Sequence, residues 1–391
     1  MKRYLAILAA TVLVIVVGVA GLAWLVDPYA YWNAPVIDGV NRYRPASGKH
    51  MLAVKLRQYE RMQPNTLVAG NSRVYVGIDP GSASWPSEMQ PVYNLGLPGV
   101  GMRNLVQAVE TALFTHQPRA LFVGLDFINF TVDKADWDKG GPVALPPKPD
   151  YEARAALAAK LLLSLDALGD TAAALAEQHS ASPETISPAG FYGTGIYPAT
   201  IASEGHAALF RQRNLENLEY FLAGPKRVRW GPEQNPEFDA LDDLVQTAKT
   251  RRISLTFFTY PYHADLLLSY QKAGLWPAYE DWLRDLAAFS ARTGILTYIF
   301  TRVDEVTGET VPEDGDTKTR MRWYWEAGHF KPALGDRMVL IMNSSLDDRL
   351  VLTPDNVEAR IRELREGLAA YGEQHPEAVR RIDEAFEDAA R

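Results

Sequence analysis

Three side chains in this 391-residue sequence have the chemistry of a nucleophile, its base and the residue that orients the base. Ser72 stands in the string LVAGNSR, where an apolar run ends in a Gly-Asn-Ser-Arg corner. A serine hydroxyl is a weak nucleophile until a base takes its proton, so the chain must supply a histidine. Of the seven histidines, His329 has a carboxylate, Glu326, three residues upstream. A carboxylate at that offset can orient the imidazole and stabilise the imidazolium.

Other interpretations of these residues stay open at this stage. Ser72 can be a plain turn or helix-capping residue, or residues 70–73 can cradle an anion at a helix N-terminus. In the anion cradle, Arg73 would bind a phosphate or carboxylate, although such an arginine commonly forms a structural salt bridge. His329 has a plain interpretation as a loop histidine. His263, in TYPYHADL, either contacts substrate or caps a helix.

Five short apolar runs bounded by turn residues predict the strands that position these side chains. They read TLVAG (66–70), VYNLGL (92–97), ALFVGLDF (120–127), ISLTFFTY (253–260) and ILTYIFT (295–301). Amphipathic helices are predicted between them at 101–116, 238–252 and 278–294. Continuously apolar strands that alternate with helices indicate a parallel sheet covered on both faces. We therefore expect a flavodoxin-like, three-layer α/β/α domain with about five parallel strands, and Ser72 at the strand ends where sites form.

The N-terminus contains a long uncharged segment. Residues 5–26 include no charge, and Thr11 is their only polar residue. A helix needs about 20 apolar residues to cross the hydrocarbon core, whereas the apolar part of a cleaved signal peptide, the alternative, usually has about 7–15. Because Lys2 and Arg3 precede the segment, the positive-inside rule keeps the tail cytoplasmic and exports the rest. We expect an N-terminal transmembrane helix that anchors an extracytoplasmic domain.

The chain divides into five predicted parts and one insertion. They are a cytoplasmic tail (1–4), the anchor (5–26), a juxtamembrane linker (27–63), the main domain (64–345) and charged C-terminal helices (346–391) joined near Gly372. The insertion, at about 130–236, has predicted helices at 151–178 and 207–223. An insertion of this length between adjacent strands is usually a cap or a binding loop.

Composition and missing motifs exclude several classes of function. The net charge is −8 and the pI about 5.5, which disfavours nucleic acid as a partner. The absence of cysteine excludes disulfides, thiolate metal sites and a cysteine nucleophile. The sequence has no His-x-x-x-His pair, calcium-loop pattern, glycine-rich phosphate loop or dinucleotide fingerprint. We therefore expect neither a metal nor a cofactor.

An ordered set of short motifs in this chain resembles those of the SGNH (GDSL-like) hydrolase superfamily. The family's Gly-Asp-Ser block corresponds to GNS at 70–72, and its Asn-x-x-x-x-Gly block to NLGLPG at 94–99. The Gly-x-Asn-Asp block is matched in part by GLDF at 124–127, and Asp-x-x-His by EAGH at 326–329. The blocks arrive in family order and span most of residues 64–345.

The resemblance implies a role for each matching residue. Ser72 would be the nucleophile, His329 the general base and Glu326 its orienting carboxylate. The backbone N–H groups of Ser72 and Gly99 would stabilise the oxyanion. Asp126 occupies the place of the family's asparagine donor, where an ionised carboxylate would repel the developing charge. Asn129, three residues on, is the candidate replacement donor. Possible substrate contacts are Arg73, Asn71, Asp126, His263 and Trp325, the last in an aromatic cluster that either packs or stacks on sugar rings.

The resemblance also implies a setting and a reaction. Similar membrane-anchored proteins add or remove acyl groups on envelope polysaccharides. We therefore expect a single-pass protein of a bacterial inner membrane whose periplasmic domain acts as a serine esterase or O-acyltransferase. Its substrate would be an acyl-bearing envelope polysaccharide or exopolysaccharide, and a polytopic membrane-bound O-acyltransferase would be a partner. The alternative is a degenerate member that binds polysaccharide or scaffolds an export complex, for which Asp126 is the main argument.

Overall fold

A five-stranded parallel sheet lies at the centre of the molecule. The computed structural model describes residues 1–134, 137, 151–179, 185–193, 197–232, 234–344 and 348–391. The strands of the sheet are β1 (Thr66–Gly70), β2 (Val92–Gly96), β3 (Ala120–Leu125), β4 (Ser254–Thr259) and β5 (Thr297–Tyr298). They are ordered β2-β1-β3-β4-β5, and each neighbouring pair is parallel. The predicted α/β class and the parallel sheet of about five strands are confirmed.

The strands form where the sequence is continuously apolar. Every residue of β1, β2 and β3 is buried, as expected for parallel strands with both faces covered. The last strand is shorter than the predicted run at 295–301, because only Thr297 and Tyr298 pair with β4. The apolar residues that follow, Ile299 and Phe300, are still buried. They contribute to the core beyond the end of the sheet.

Helices connect the strands and extend the chain at both ends. The helices before β3 are α1 (Lys2–Val26), α2 (Met51–Met62), α3 (Ser72–Gly77) and α4 (Met102–Thr115). Those between β3 and β5 are α5 (Tyr151–Leu163), α6 (Leu165–Ala176), α7 (Tyr197–Leu222), α8 (Pro236–Arg251), α9 (Ala264–Lys272) and α10 (Trp276–Thr293). The last three are α11 (Pro332–Asn343), α12 (Val357–Gln374) and α13 (Pro376–Ala389). The three helices predicted between strands lie within two residues of α4, α8 and α10.

The helices of the insertion differ from the prediction. The single helix expected at 151–178 is two helices, because Ser164 interrupts it and its hydroxyl accepts the Ala167 N–H at 3.1 Å, starting α6. The helix expected at 207–223 is the part of α7 that follows Gly205, and a further helical segment that begins at Tyr197 precedes it. Gly205 kinks α7 with φ 81°, a left-handed conformation that glycine adopts readily.

Helices also occur in the juxtamembrane and C-terminal parts of the chain. The juxtamembrane linker expected at 27–63 contains α2, and the C-terminal helices meet at His375, close to Gly372, where Pro376 begins the second one. The predicted domain limit at 345 lies outside the described residues. So do parts of the insertion, at 135–136, 138–150, 180–184, 194–196 and 233.

The apolar N-terminal segment forms α1, which by length and composition can cross a membrane. The helix ends at Val26 because Asp27 takes a left-handed conformation with φ 47°. The Asp27 carboxylate is fully buried and accepts the backbone N–H groups of Tyr31 and Trp32 at 2.8 and 3.1 Å. It also pairs with Arg44 at 3.1 Å. These bonds fix the exit of α1 against the rest of the chain.

Candidate active site

Ser72 is the first residue of α3, directly beyond the carboxyl end of β1. Asn71 caps the helix, since its side chain accepts the Arg73 N–H at 3.0 Å. The corner requires glycine at position 70, because a Cβ there would lie 2.4 Å from a Val74 methyl carbon. The strand therefore turns sharply into the helix and leaves the Ser72 side chain partly accessible.

The other two predicted catalytic residues lie on a small antiparallel hairpin that sequence analysis did not predict. Its strands are β6 (Tyr324–Glu326) and β7 (His329–Phe330), with a register irregularity between them. A Cβ at Gly77, in α3, would fall 2.3 Å from the Phe330 ring, so the hairpin packs closely on the helix that begins with Ser72. Glycine at position 77 permits that approach.

The structure brings Ser72, His329 and Glu326 together in one hydrogen-bonded series. His329 Nε2 lies 2.7 Å from Ser72 Oγ, and His329 Nδ1 is hydrogen-bonded to Glu326 Oε1. The other Glu326 oxygen accepts the Gly328 N–H at 2.5 Å. With a neutral imidazole, this network assigns the proton to Nδ1, which donates to Glu326, and leaves Nε2 to accept from Ser72. That is the arrangement a general base requires.

The charge on Glu326 is maintained although the side chain is buried. Burial alone would raise the pKa of this carboxyl. The charges of His329 and Arg213 lower it by more than burial raises it, and hydrogen bonds from His329 and Gly328 add to the lowering. The resulting pKa is about 2. Arg213 Nε lies 3.4 Å from Glu326 Oε1. Glu326 raises the pKa of Arg213 in turn. At neutral pH the histidine therefore faces an ionised carboxylate.

A second histidine, His206, is hydrogen-bonded to the backbone of the hairpin and of the segment before it. It is fully buried, and its Nδ1 lies 3.0 Å from the Trp325 carbonyl oxygen. Its Nε2 accepts the Met321 N–H at 3.2 Å, so Nδ1 carries the proton and donates to Trp325. Burial lowers the pKa of His206 to about 4, which keeps the ring neutral at physiological pH. His206 thus holds the strand that carries Glu326.

Asp126, a possible substrate contact on the sequence alone, is engaged in contacts within the fold. The carboxylate is buried and accepts hydrogen bonds from Asn71 Nδ2 and the Tyr262 hydroxyl, each at 2.6 Å. It also pairs with the Arg73 guanidinium, whose centre lies 5.1 Å from the Tyr262 ring. Asp126 therefore joins the Ser72 corner to the end of β3. Asn71 and Arg73 are the structural partners of this carboxylate.

The backbone N–H groups proposed for the oxyanion hole belong to Ser72, at the start of α3, and to Gly99, in the loop after β2. Gly99 is in the exposed loop between β2 and α4 with φ 68°, and neither its N–H nor that of Ser72 has a partner among the described residues. Asn129 directs its side-chain amide at the Val100 carbonyl, 3.1 Å away. It therefore supports the Gly99 loop, and its expected role as a replacement donor stays a prediction. Gly99 and Asn129 both line a cavity of about 580 Å³.

Two expected substrate contacts are occupied within the fold. His263 is fully buried and caps α9: its Nδ1 accepts the Asp265 N–H at 3.1 Å and its Nε2 donates to the Glu309 carbonyl at 2.9 Å. Trp325 is 7% exposed and stacks on Tyr197 with ring centres 5.2 Å apart. The Lys331 ammonium lies 4.4 Å from the Trp325 ring centre. Neither side chain is an open contact for substrate.

The insertion supplies residues that sequence reasoning missed. Tyr197, His206 and Arg213 are all on α7, and all three act on the hairpin that carries Glu326 and His329. The ring of Tyr197 lies 6.2 Å from that of His329. Burial and the negative charge of Glu326 raise the pKa of Tyr197. The signal available in the sequence was the length of the insertion, which indicated a cap but no particular residue.

The described part of the chain contains no group of three or more His, Asp or Glu side chains arranged to hold a metal ion. Comparisons with protein-family models, with curated proteins and with solved structures found no match. What the chain does is therefore inferred from the geometry of its own residues, above all from Ser72, His329 and Glu326.

Proposed function

We propose that this chain is a serine esterase or O-acyltransferase of the SGNH (GDSL-like) kind. The observation that carries the proposal is the series Ser72–His329–Glu326, in which the first two residues are 257 positions apart in sequence and 2.7 Å apart in space. A hydroxyl, an imidazole and an ionised carboxylate in this order are the parts of a nucleophilic acyl-transfer site. An anion cradle at residues 70–73 has no need of the histidine.

The reaction follows from the direction of each hydrogen bond. His329 Nε2 takes the Ser72 proton as Oγ bonds to the ester carbonyl carbon, and Glu326 stabilises the imidazolium that forms. The tetrahedral intermediate then loses its alcohol, which receives the proton from His329 and leaves an acyl group on Ser72. Water or a second hydroxyl gives a proton to His329 and attacks this acyl-enzyme. The Ser72 Oγ–acyl bond then breaks as His329 returns the proton to Oγ. Water yields the free acid, and a second hydroxyl yields a new ester.

The oxyanion would be bound by the backbone N–H groups of Ser72 and Gly99. One preorganised donor of this kind is worth roughly 2.7–4 kcal/mol of barrier. Asp126, the residue that favoured a degenerate protein, has its charge compensated by Arg73 and two further donors. Its presence near the corner is therefore compatible with catalysis. This favours the enzyme over the scaffold.

The finer architecture and location belong to the same proposal. The strand order 2-1-3-4-5 is that of flavodoxin-like sheets, which supports a three-layer α/β/α arrangement. Lys2 and Arg3, at the N-terminal end of α1, support a cytoplasmic tail and a periplasmic domain at a bacterial inner membrane. The cavity beside Gly99 is lined partly by Asn104, Lys226 and other polar residues, which suits a hydroxyl-rich polysaccharide. A polytopic O-acyltransferase partner is supported by the family resemblance alone.

Labelling with a serine-reactive fluorophosphonate tests the proposal. The full-length protein in membranes should react, and both Ser72→Ala and His329→Gln should lose the label, because one removes the nucleophile and the other its base. Ser203→Ala is the matched control, since Ser203 is exposed and its hydroxyl donates to backbone carbonyls of its own helix, α7. Absence of labelling in a folded wild-type protein would instead support the scaffold. Loss of anion binding in Arg73→Ala, with binding retained in Ser72→Ala, would support the anion cradle.

A further inference from the structure

Helices α5 and α6 form a hairpin, here called the α5–α6 hairpin (residues 151–176), that packs against the C-terminal part of α1. The first eighteen residues of the chain are exposed along their whole length. Burial begins at Val19 and Ala20 and is complete at Ala23 and Val26, where α1 contacts both helices of the hairpin. The part of α1 that the hairpin covers is therefore its last third.

The hairpin is tied to the domain at its open end. Arg154, near the start of α5, pairs with Glu60 of α2 at 3.0 Å. Gln178, just after α6, donates to the Tyr43 carbonyl at 2.8 Å. Because both outer ends are held this way, the turn at Ser164 lies at the end remote from these attachments.

The turn is also fixed along the axis of α1. Asp170 of α6 accepts the Tyr29 hydroxyl at 2.7 Å, and Leu161 and Ala167 are buried in one cluster with Tyr29. Leu165 precedes Asp170 by five residues, about 7.5 Å along a helix axis. The turn therefore extends from the level of Tyr29 back toward the apolar part of α1.

The turn carries leucine side chains that none of the described residues covers. Leu165 is 85% exposed, Leu163 is 50% exposed and Leu168 is 36% exposed. Burying one such side chain is worth roughly 1.5–3 kcal/mol. Three exposed leucines within six residues are a candidate interaction site, since larger exposed apolar patches mark such sites.

We propose that the turn of the α5–α6 hairpin inserts into the outer interface of the bilayer that α1 crosses. This rests on the proposed membrane anchor. The 25 residues of α1 are about 37 Å long, against a hydrocarbon core of about 30 Å, so the last third of α1 lies in the outer leaflet and its boundary. A hairpin packed on that third meets the same lipids, and interfacial segments bury their apolar face about 5–10 Å deep.

Contact between the hairpin turn and the bilayer would affect the position of the domain that carries Ser72. A single helix lets a domain rotate and tilt over the membrane, whereas a second contact beside it fixes height and orientation. The contact would also retain the domain at the membrane if α1 were removed, because the exposed leucines do not belong to α1. The acyl-transfer site would then work at a constant distance from the lipid surface.

Depth-dependent fluorescence quenching tests whether the hairpin turn enters the bilayer. The chain has no cysteine, so single-cysteine variants of the full-length protein accept one environment-sensitive label each. The test variant is Leu165→Cys, in phosphatidylethanolamine–phosphatidylglycerol vesicles that carry a nitroxide quencher near the headgroup or deep in the acyl chains. Val14→Cys, 70% exposed in α1, marks the hydrocarbon core. Leu296→Cys, 51% exposed beside β5 at the sheet edge opposite β2, marks water.

The expected result is loss of fluorescence at position 165 with the shallow quencher, at position 14 with the deep quencher, and at position 296 with neither. Quenching of the label at position 14 but not of the label at position 165 would show that the hairpin turn does not enter the bilayer, and would leave α1 as the membrane anchor. Quenching at neither would overturn both. Fluorophosphonate labelling of the same Leu165→Cys protein reports separately on the acyl-transfer site, so failure of the proposed activity is distinguishable from failure of the insertion.

Discussion

Two buried carboxylates lie near Ser72, and each faces an arginine with a different result. Asp126, at the end of β3, is 4% exposed and Glu326, on the hairpin, is 1% exposed. Asp126 bonds directly to Arg73, whose side chain is 12% exposed. Glu326 lies 3.4 Å from Arg213, whose side chain is 34% exposed. Arg73 is therefore in direct contact with Asp126 and nearly buried, whereas Arg213 is more distant from Glu326 and partly exposed.

The difference shows what frees a carboxylate for chemistry. Both oxygens of Asp126 accept from groups that do not change protonation at neutral pH, namely Asn71, Arg73 and Tyr262. One oxygen of Glu326 accepts from an imidazole that can take up a proton from Ser72. Asp126 thus contributes to holding the corner, whereas Glu326 gains interaction energy when the histidine becomes charged.

Converting Glu326 to glutamine should have the largest effect on activity. We expect Glu326→Gln to lower kcat by a factor on the order of 10⁴, since an amide no longer stabilises the imidazolium and can favour the wrong tautomer. The pKa of Glu326 in the folded chain, about 2, lies below the ordinary 4.5. Its ionised form therefore stabilises the fold above pH 4.5, and this stabilisation is lost as the pH falls from 4.5 toward 2.

Ester hydrolysis and denaturant unfolding measure the two consequences of Glu326→Gln. The variant should unfold with a shallower pH dependence in the acid range and lose only about 1–2 kcal/mol at neutral pH, because Arg213 is partly exposed and keeps Glu216 as a partner. Hydrolysis within tenfold of wild type would show that Glu326 does not orient the base.

Converting Asp126 to asparagine should have the opposite effect to Glu326→Gln, a large loss of stability and a small loss of activity. Asp126→Asn leaves the buried Arg73 guanidinium without its counter-charge, and removing one partner of a buried pair costs about 3–5 kcal/mol of unfolding free energy. Equilibrium urea unfolding measures this loss. The fraction that stays folded should keep most of the proposed esterase activity, since Asp126 touches neither His329 nor Ser72 among the described contacts.

A double variant sharpens the same test. Replacing both partners, as Asp126→Leu with Arg73→Met, removes the uncompensated charge and should recover part of the lost stability. A single Asp126→Asn protein that is fully stable but inactive would contradict the structural role and place the carboxylate in the reaction.

The sequence predicted the parts of the fold that depend on local pattern. β1 lies at its predicted limits because an unbroken apolar run ends in a glycine corner, and β2 and β3 agree within two residues for the same reason. The order of the motifs named Ser72, Glu326 and His329, which the structure places in one series. Parallel strands bring their carboxyl ends to one edge, so distant residues can be expected to meet there.

What the sequence could not predict depends on contacts between distant segments. Nothing local to Asp126 indicates that Tyr262, 136 positions away, will donate to it. The hairpin that carries Glu326 consists of strands of three and two residues, too short to produce an alternating pattern. Arg213 and His206 lie on an insertion helix whose face toward the site is defined only after it packs on that hairpin.

The smallest predicted effect concerns Arg213, a positioning residue that acts through Glu326. Arg213→Met removes a positive charge beside the carboxylate, which raises the pKa of Glu326 and favours the protonated form of the Glu326–His329 pair. The acid limb of kcat/KM, which reports the free enzyme's base, should move to higher pH by roughly one unit or less. Arg211→Met is the matched control, because Arg211 lies on the same helix and pairs with Asp314 at 2.6 Å near the surface. A uniform fall in kcat/KM at every pH, without displacement of the limb, would show that Arg213 supports the hairpin only by packing, and that the contrast with Arg73 is one of distance alone.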